Sequence, residues 1–386
     1  FENCVQLETV RFSSCTLVNS KAFQSCSLLE TVSIPKVQVI KSNAFSNTKI
    51  ASIECNFLTT IEDYGFSDCS LLSSITVPLL ETIGAYCFKG TALKSLTLDK
   101  LTSLGASGHC FDSCTSLEII QIDNIEILTQ FLFNGCISLH TFIGDSVTTI
   151  QDSCFLGCEK LVTVTCPYLV TIENNAFKGI ITIEEVNFPF VKTVGTSAYE
   201  GCTGLKTVVL ETCHTVGTSA FNGCIFLSRV EIPKLRMIHP AAFRNIIVES
   251  LEFPELDAWT TGTIDGANGI GGFFIDCKRL KTFSAPNLAA IPARMFSGCH
   301  VLNSLEMDNA QTIGSNAFSD CNDLTTLILP SVTSLANSLF SGNGILIHIE
   351  FDSVNYIGKN CFQSCSNLET VSFLSCVTAE EYAFDD

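Results

Sequence analysis

Twenty-one cysteines and six histidines in 386 residues are the first side chains to weigh for chemistry, because a thiolate is both a metal ligand and a nucleophile. Cys110/Cys114, Cys154/Cys158 and Cys361/Cys365 are spaced i, i+4, a separation that brings two ligands together on a helical segment. A structural zinc site needs four ligands, commonly with C-x-x-C spacing. No such pair occurs and no histidine completes a set, so neither a metal nor any other cofactor is expected. Cys213 adjoins His214, but a Cys–His nucleophile needs an accessible thiol. The glycines at 262, 266, 269, 271 and 272 are in the wrong order for a phosphate-binding loop and no lysine directly follows them. Nucleotide-binding, zinc-protease and serine-hydrolase motifs are absent, so no catalytic residue is assigned and the protein is expected not to be an enzyme.

The elements that would have to position such residues explain the cysteines differently. An aromatic slot recurs down the whole chain: Phe1, Phe23, Phe45, Phe66, Phe88, Phe111, Phe133, Phe155, Phe177, Tyr199, Phe221, Phe243, Phe274, Phe296, Phe318, Phe340, Phe362 and Phe384. Fourteen of the seventeen intervals are 22 residues; the others are 21, 23 and 31. Such regularity predicts one solenoid over residues 1–386, of about seventeen turns, and leaves no room for a second domain. In the turn from Phe155, the residues Leu161, Val164 and Cys166 have the spacing of an extended segment, in which residues two apart share a face. Phe155 and Cys158, three apart, suit one helical or 3₁₀ turn. Proline follows the strand in eight turns, for example Pro35, Pro78, Pro233 and Pro330, where it costs no ladder hydrogen bond. One turn cannot bury its own Phe, Leu and Ile; stacked neighbours bury them jointly.

Within that frame twelve cysteines lie three residues after the aromatic slot and the other nine take further inward positions. All are expected to be free thiols acting as small core hydrophobes.

The run L-x-x-V-x-I-P-x-L-x-x-I-G-x-x-A-F-x-x-C, repeated over essentially the entire chain, resembles the BspA-like (treponemal-type) leucine-rich repeat. The resemblance implies a leucine-rich-repeat solenoid of the α/β type: a right-handed arc with a parallel β-sheet on its concave face and short helical or 3₁₀ turns on its convex face. Proteins of that family are mostly surface-exposed, in bacteria and parasitic protists, and are associated with adhesion. It implies a cell-surface or secreted location and carries no catalytic residues. Against that location stand the many free thiols, disfavoured in oxidising compartments, and the lack of any Asn-x-Ser or Asn-x-Thr sequence. The alternative is a cytoplasmic structural scaffold.

Two irregularities stand out. The chain begins on a repeat Phe and stops at Phe384 as a further turn would start, without polar capping turns; solenoids need such caps, so a larger parent chain is expected. The interval from Phe243 to Phe274 is 31 residues; its segment 260–273 is expected to form a glycine-rich, mobile loop on one edge.

The net charge of −18 disfavours nucleic acid and anionic membrane surfaces as partners, and no apolar run is long enough to insert in a membrane. Function then falls to the outward positions of the strands. Most hold Ser or Thr, good exposed strand residues, but the second half is acidic. The candidate partner-binding residues are Glu185, Asn187, Arg229, Glu231, Glu252, Glu306, His348 and Glu350. They point to a protein partner, basic or rich in hydroxyls.

Overall fold

A computed structural model describes residues 1–259 and 272–385. They form two compact units, Phe1–Ile183 and Glu184–Asp386, each a stack of parallel β-turns. Every turn gives at most one three-residue strand and one two-residue strand; among the described residues there are sixteen of the first kind and seventeen of the second. In Phe1–Ile183 the register is regular: Ser95 pairs with Ile119, Ile119 with Thr141 and Thr141 with Thr163. In Glu184–Asp386 Glu185 pairs with Thr207, and Thr207 with Arg229. The middle residue of the long strands is buried or half-buried, as Val186, Val208 and Leu251 are, with Val371 at 44% exposure the exception, because successive strand side chains alternate between faces.

The aromatic slot builds the core. Phe45, Phe66, Phe88, Phe111, Phe133 and Phe155 are fully buried, and neighbouring rings stack with centroids 5.2–5.9 Å apart. Stacking at one turn's separation needs an aromatic at one fixed slot, which is what the 22-residue period supplies.

The expected helical or 3₁₀ turns are not there: no helix of either kind occurs among the described residues. The reason is an alternation in the backbone around each aromatic. Lys21, Phe23 and Ser25 donate N–H to Ser42, Ala44 and Ser46 of the next turn, whereas Ala22, Gln24 and Cys26 donate back three residues within their own turn. A helix must direct every N–H within itself; here every second one goes to the neighbouring turn. The alternation places the residues two before and two after the aromatic at positive φ, as with Asn43 (58°) and Asn47 (58°) around Phe45. Asn, Ser and Gly dominate these positions; Gly has no Cβ to clash there, and Asn visits that region more readily than most residues.

The cysteine slot is also more than packing. Cys69 Sγ donates to Phe45 O (3.0 Å), Cys114 to Phe88 O (3.0 Å), Cys136 to Phe111 O (3.1 Å) and Cys158 to Phe133 O (3.2 Å). The same bond runs from Cys224 to Tyr199 O (3.2 Å) and from Cys299 to Phe274 O (3.2 Å). Where asparagine fills the slot, Asn343 Nδ2 makes it to Phe318 O at 2.7 Å. The thiol therefore gives a second hydrogen bond to the carbonyl of the preceding turn's aromatic residue, which already accepts one within its own turn, as Phe111 O does from Cys114 N–H at 3.1 Å.

Not every cysteine is inward. Cys4 is exposed and Cys15 and Cys376 are half-buried, because they lie in the first and last turns described, which have a packed neighbour on one side only. All 21 are free. In unreduced native protein only these three are expected to react readily with a thiol reagent, and denaturation should bring the count to 21. A denatured total below about 15 would show disulfides instead.

Three turns are one residue short between the cysteine slot and the following leucine slot, reading Thr48-Lys49-Ile50, Thr91-Ala92-Leu93 and Ile246-Ile247-Val248 in place of C-x-x-L. They lead into Ser52–Glu54, Ser95–Thr97 and Ser250–Glu252, and none of these strands is hydrogen-bonded to the preceding long strand. A connector one residue short can keep the middle side chain inward only by putting the strand's N–H and C=O groups out of step with the previous turn. A further interruption falls at Thr326 and Ile328, where a strand is expected and none forms; Ile328 is 75% exposed.

Of the irregular segment, residues 260–271 lie outside the described residues, so the loop expected there is not described. Gly272 and Phe273 already belong to the regular stack. Ala241 N–H bonds Gly272 O (2.9 Å), Phe243 N–H bonds Phe273 O (3.2 Å), and Phe273 is buried with its ring 5.2 Å from Trp259.

Candidate interaction surface

All eight outward residues singled out from the sequence lie on long strands of Glu184–Asp386, and all are exposed. Glu185–Asn187, Thr207–Val209 and Arg229–Glu231 form one parallel sheet; Ser250–Glu252, Thr282–Ser284 and Ser304–Glu306 form a second; His348–Glu350 and Thr370–Ser372 form a third. Register puts Glu185 and Arg229 in one row with Thr207 between them, and Glu252 and Glu306 in another with Ser284 between them. His348 and Glu350 pair with Thr370 and Ser372; the strandless segment at Thr326 and Ile328 separates them from Glu306.

The acidic character is partly met on the same strands. Arg229 Nε donates to Glu231 Oε1 at 2.8 Å, Asn187 Nδ2 to Glu185 Oε1 at 3.3 Å, and Ser284 Oγ to Glu306 Oε2 at 2.6 Å. His348 Nε2 lies 3.7 Å from Glu350 Oε2, with its Nδ1 2.5 Å from Thr370 Oγ1. Residues two apart on a strand share a face, so i, i+2 pairs of this kind form without help from the rest of the fold. Exposed pairs contribute only about 0–1 kcal/mol, so they trim the field of the face without abolishing it. No hydrogen bond or ion pair among the described residues engages the Glu252 side chain.

Two features of this surface were not found from the sequence. Glu231 and Glu252, on strands that are not hydrogen-bonded to each other, line one open cavity of about 710 Å³ together with Glu211, Val209, Ile232, Pro233 and Pro254. The signal was present: Phe243 precedes its strand by seven residues where Phe221 precedes its own by eight. In Phe1–Ile183 an aromatic ladder runs outside the core through Tyr64, Tyr86, His109 and Phe131, with centroids 4.8, 4.6 and 4.8 Å apart. All four have positive φ, between 53° and 60°, a cost of about 1–2 kcal/mol each that ring stacking offsets. His109 Nδ1 meets Asp112 Oδ2 at 3.1 Å, and Asp112 Oδ1 accepts from Ser113 and Asn134. These rings occupy the slot two residues before the core aromatic, which in most other turns holds Asn or Ser, the exceptions being Lys21, Ala241, Gly272, Arg294 and Tyr382.

The thiols are poor candidates for chemistry. Burial pushes Cys55, Cys110 and Cys213 up to about 12, so Cys213 beside His214 is a neutral thiol at physiological pH. Among the described residues no group of three or more His, Cys, Asp and Glu is placed to hold a metal ion, and no helix is long and apolar enough to cross a membrane.

Stacked parallel turns, most of them with a buried aromatic, a cysteine three residues later and a strand, define a leucine-rich-repeat β-solenoid. The model of the BspA type leucine rich repeat region (6 copies) matches residues 1–108, 56–162, 81–206, 148–261 and 271–386, and the chain belongs to that family. Among solved structures, a leucine-rich repeat protein from Bacteroides ovatus is 23% identical, with 96% of this chain and 80% of that chain covered and a TM-score of 0.50; this likeness bears on the fold. A leucine rich cell surface protein from Faecalibacterium prausnitzii is 18% identical over 76% of this chain and 83% of that chain, with a TM-score of 0.33. No curated protein sequence matches the chain significantly.

Proposed function

We propose that this chain is a non-catalytic module that binds a protein partner in adhesion or recognition, exposed at the cell surface or secreted, through the long-strand face of Glu184–Asp386. The observation that carries the reading is the contrast between two sets of strand positions. Inward residues such as Val186, Val208 and Leu251 are fixed by packing. The exposed residues beside them change from turn to turn in ways packing does not require, and collect Glu185, Glu231, Glu252, Glu306 and Glu350 on that face. Membership of the BspA type family supports the surface location. The free thiols, which favour an intracellular scaffold, lose weight once eighteen of the 21 are seen to be buried, because the species that oxidises is the accessible thiolate.

Five carboxylates against Arg229 on these strands speed encounter with a basic partner and make binding salt-sensitive. Reversing Glu231, Glu252 and Glu306 to Lys should leave the fold intact, since exposed substitutions change stability by about 0.5 kcal/mol each. Immobilised wild-type and triple-variant chains, exposed to the same extracellular protein mixture, should differ in the basic proteins retained, most at low salt. Equal retention at low and physiological salt would move the contacts off this face.

A further inference from the structure

We propose that the gap between Arg229–Glu231 and Ser250–Glu252 is a docking cleft for one lysine or arginine side chain of a partner protein; this rests on the reading of the strand face as the interaction surface. The gap is built by the sequence. With Ile246-Ile247-Val248 one residue short of the usual connector, Leu251 still reaches the core at 1% exposure, but its strand does not pair with Arg229–Glu231. Instead Ile247 N–H bonds Leu227 O at 3.0 Å, ahead of the strand. The space left between the two strands is the cavity of about 710 Å³. An independent irregularity behaves alike: the 23-residue turn from Phe88 to Phe111 breaks the short-strand ladder between Ser103–Leu104 and Ile127–Leu128, and a cavity of about 560 Å³ opens there.

What the cleft fits follows from its walls. Val209, Pro233 and Pro254 give an apolar lining, Glu211, Glu231 and Glu252 bring three carboxylates, and no cationic side chain among the described residues lines it. An apolar stem ending in a cation, the shape of lysine and arginine, satisfies both parts at once; an anionic or wholly apolar group satisfies at most one. The volume is within the range of small-ligand pockets, about 300–1,000 Å³. Arg229 shows the interaction in miniature, its Nε on Glu231 Oε1 at 2.8 Å, while Glu252 is left for an incoming guanidinium or ammonium.

The probe is a blocked pentapeptide, Gly-Gly-Arg-Gly-Gly, and the same peptide with citrulline, which keeps the shape and loses the charge. Titrated into the isotopically labelled chain, the arginine peptide should shift the amide resonances of Ile232 and Glu252 saturably, and the citrulline peptide should not. Glu211→Gln with Glu252→Gln should weaken the fitted affinity at least fivefold, whereas Glu306→Gln, a charge lost on the same face outside the cleft, should change it less than twofold. Shifts absent with the arginine peptide, or equal with citrulline, overturn the cleft. Equal losses from Glu306→Gln and from the cleft variants would show attraction by the whole face, overturning the cleft while leaving the interaction surface standing.

Discussion

Phe221→Ala is expected to destabilise Glu184–Asp386 by about 3–5 kcal/mol, the usual cost of emptying a buried phenylalanine site. The ring is fully buried and stacks on Tyr199 at 5.4 Å and on Phe243 at 5.3 Å. Turns bury one another's aromatics, so a void at one turn weakens two interfaces, and solenoid stability is close to a sum of such neighbour contributions. Denaturant unfolding followed by circular dichroism measures the loss, with Phe384→Ala as the control: Phe384 fills the same slot but is 49% exposed and stacks on Phe362 alone among the aromatics. A loss below about 1 kcal/mol at Phe221 would mean that the stack collapses to fill the void.

Raising pH should unfold the protein earlier than lysine and tyrosine titration alone would. Burial holds Cys69 near 11 and Cys55, Cys110, Cys166 and Cys213 near 12, against an ordinary value of 9.0. The folded state keeps these protons when the unfolded chain releases them, so the unfolded state binds fewer protons and stability falls as pH rises. The contribution is complete below pH 9 and is lost between about 9 and 12. Each thiol forfeits roughly 1.4 kcal/mol for every pH unit by which burial has raised its pKa. The thermal midpoint should hold steady from pH 7 to 8.5 and then drop steeply, with the decline starting near 9 rather than above 10, where Tyr and Lys titrate. A midpoint unchanged up to pH 10 would show that the buried thiols do not govern alkaline stability.

Both expectations rest on positions readable from one dimension of information. A phenylalanine every 22 residues with a cysteine three later announces a stacked repeat, because only a neighbouring turn can cover so much apolar surface. Strand faces follow from period two, which is why all eight outward residues lie exposed on the long strands. The Phe–Cys spacing was read as helical because a separation of three satisfies a helix and a tight turn equally; the choice depends on whether N–H groups bond within the turn or to the next one, and spacing carries no trace of that.

The amino-acid order by itself determined the solenoid, its period, the inward and outward sets and the fate of most cysteines, since each follows from local periodicity and the need to bury apolar area. Only the tertiary structure decided where neighbouring strands lose step, that Cys158 bonds a carbonyl 25 residues away, and that Glu231 and Glu252 share a cavity with Glu211 while Glu306 and Glu350 do not. The physical reason is that these depend on the offset between adjacent turns. A one-residue difference at Ile246-Ile247-Val248 barely alters the pattern along the chain, yet it displaces a strand against its neighbour and turns a closed ladder into an open cleft.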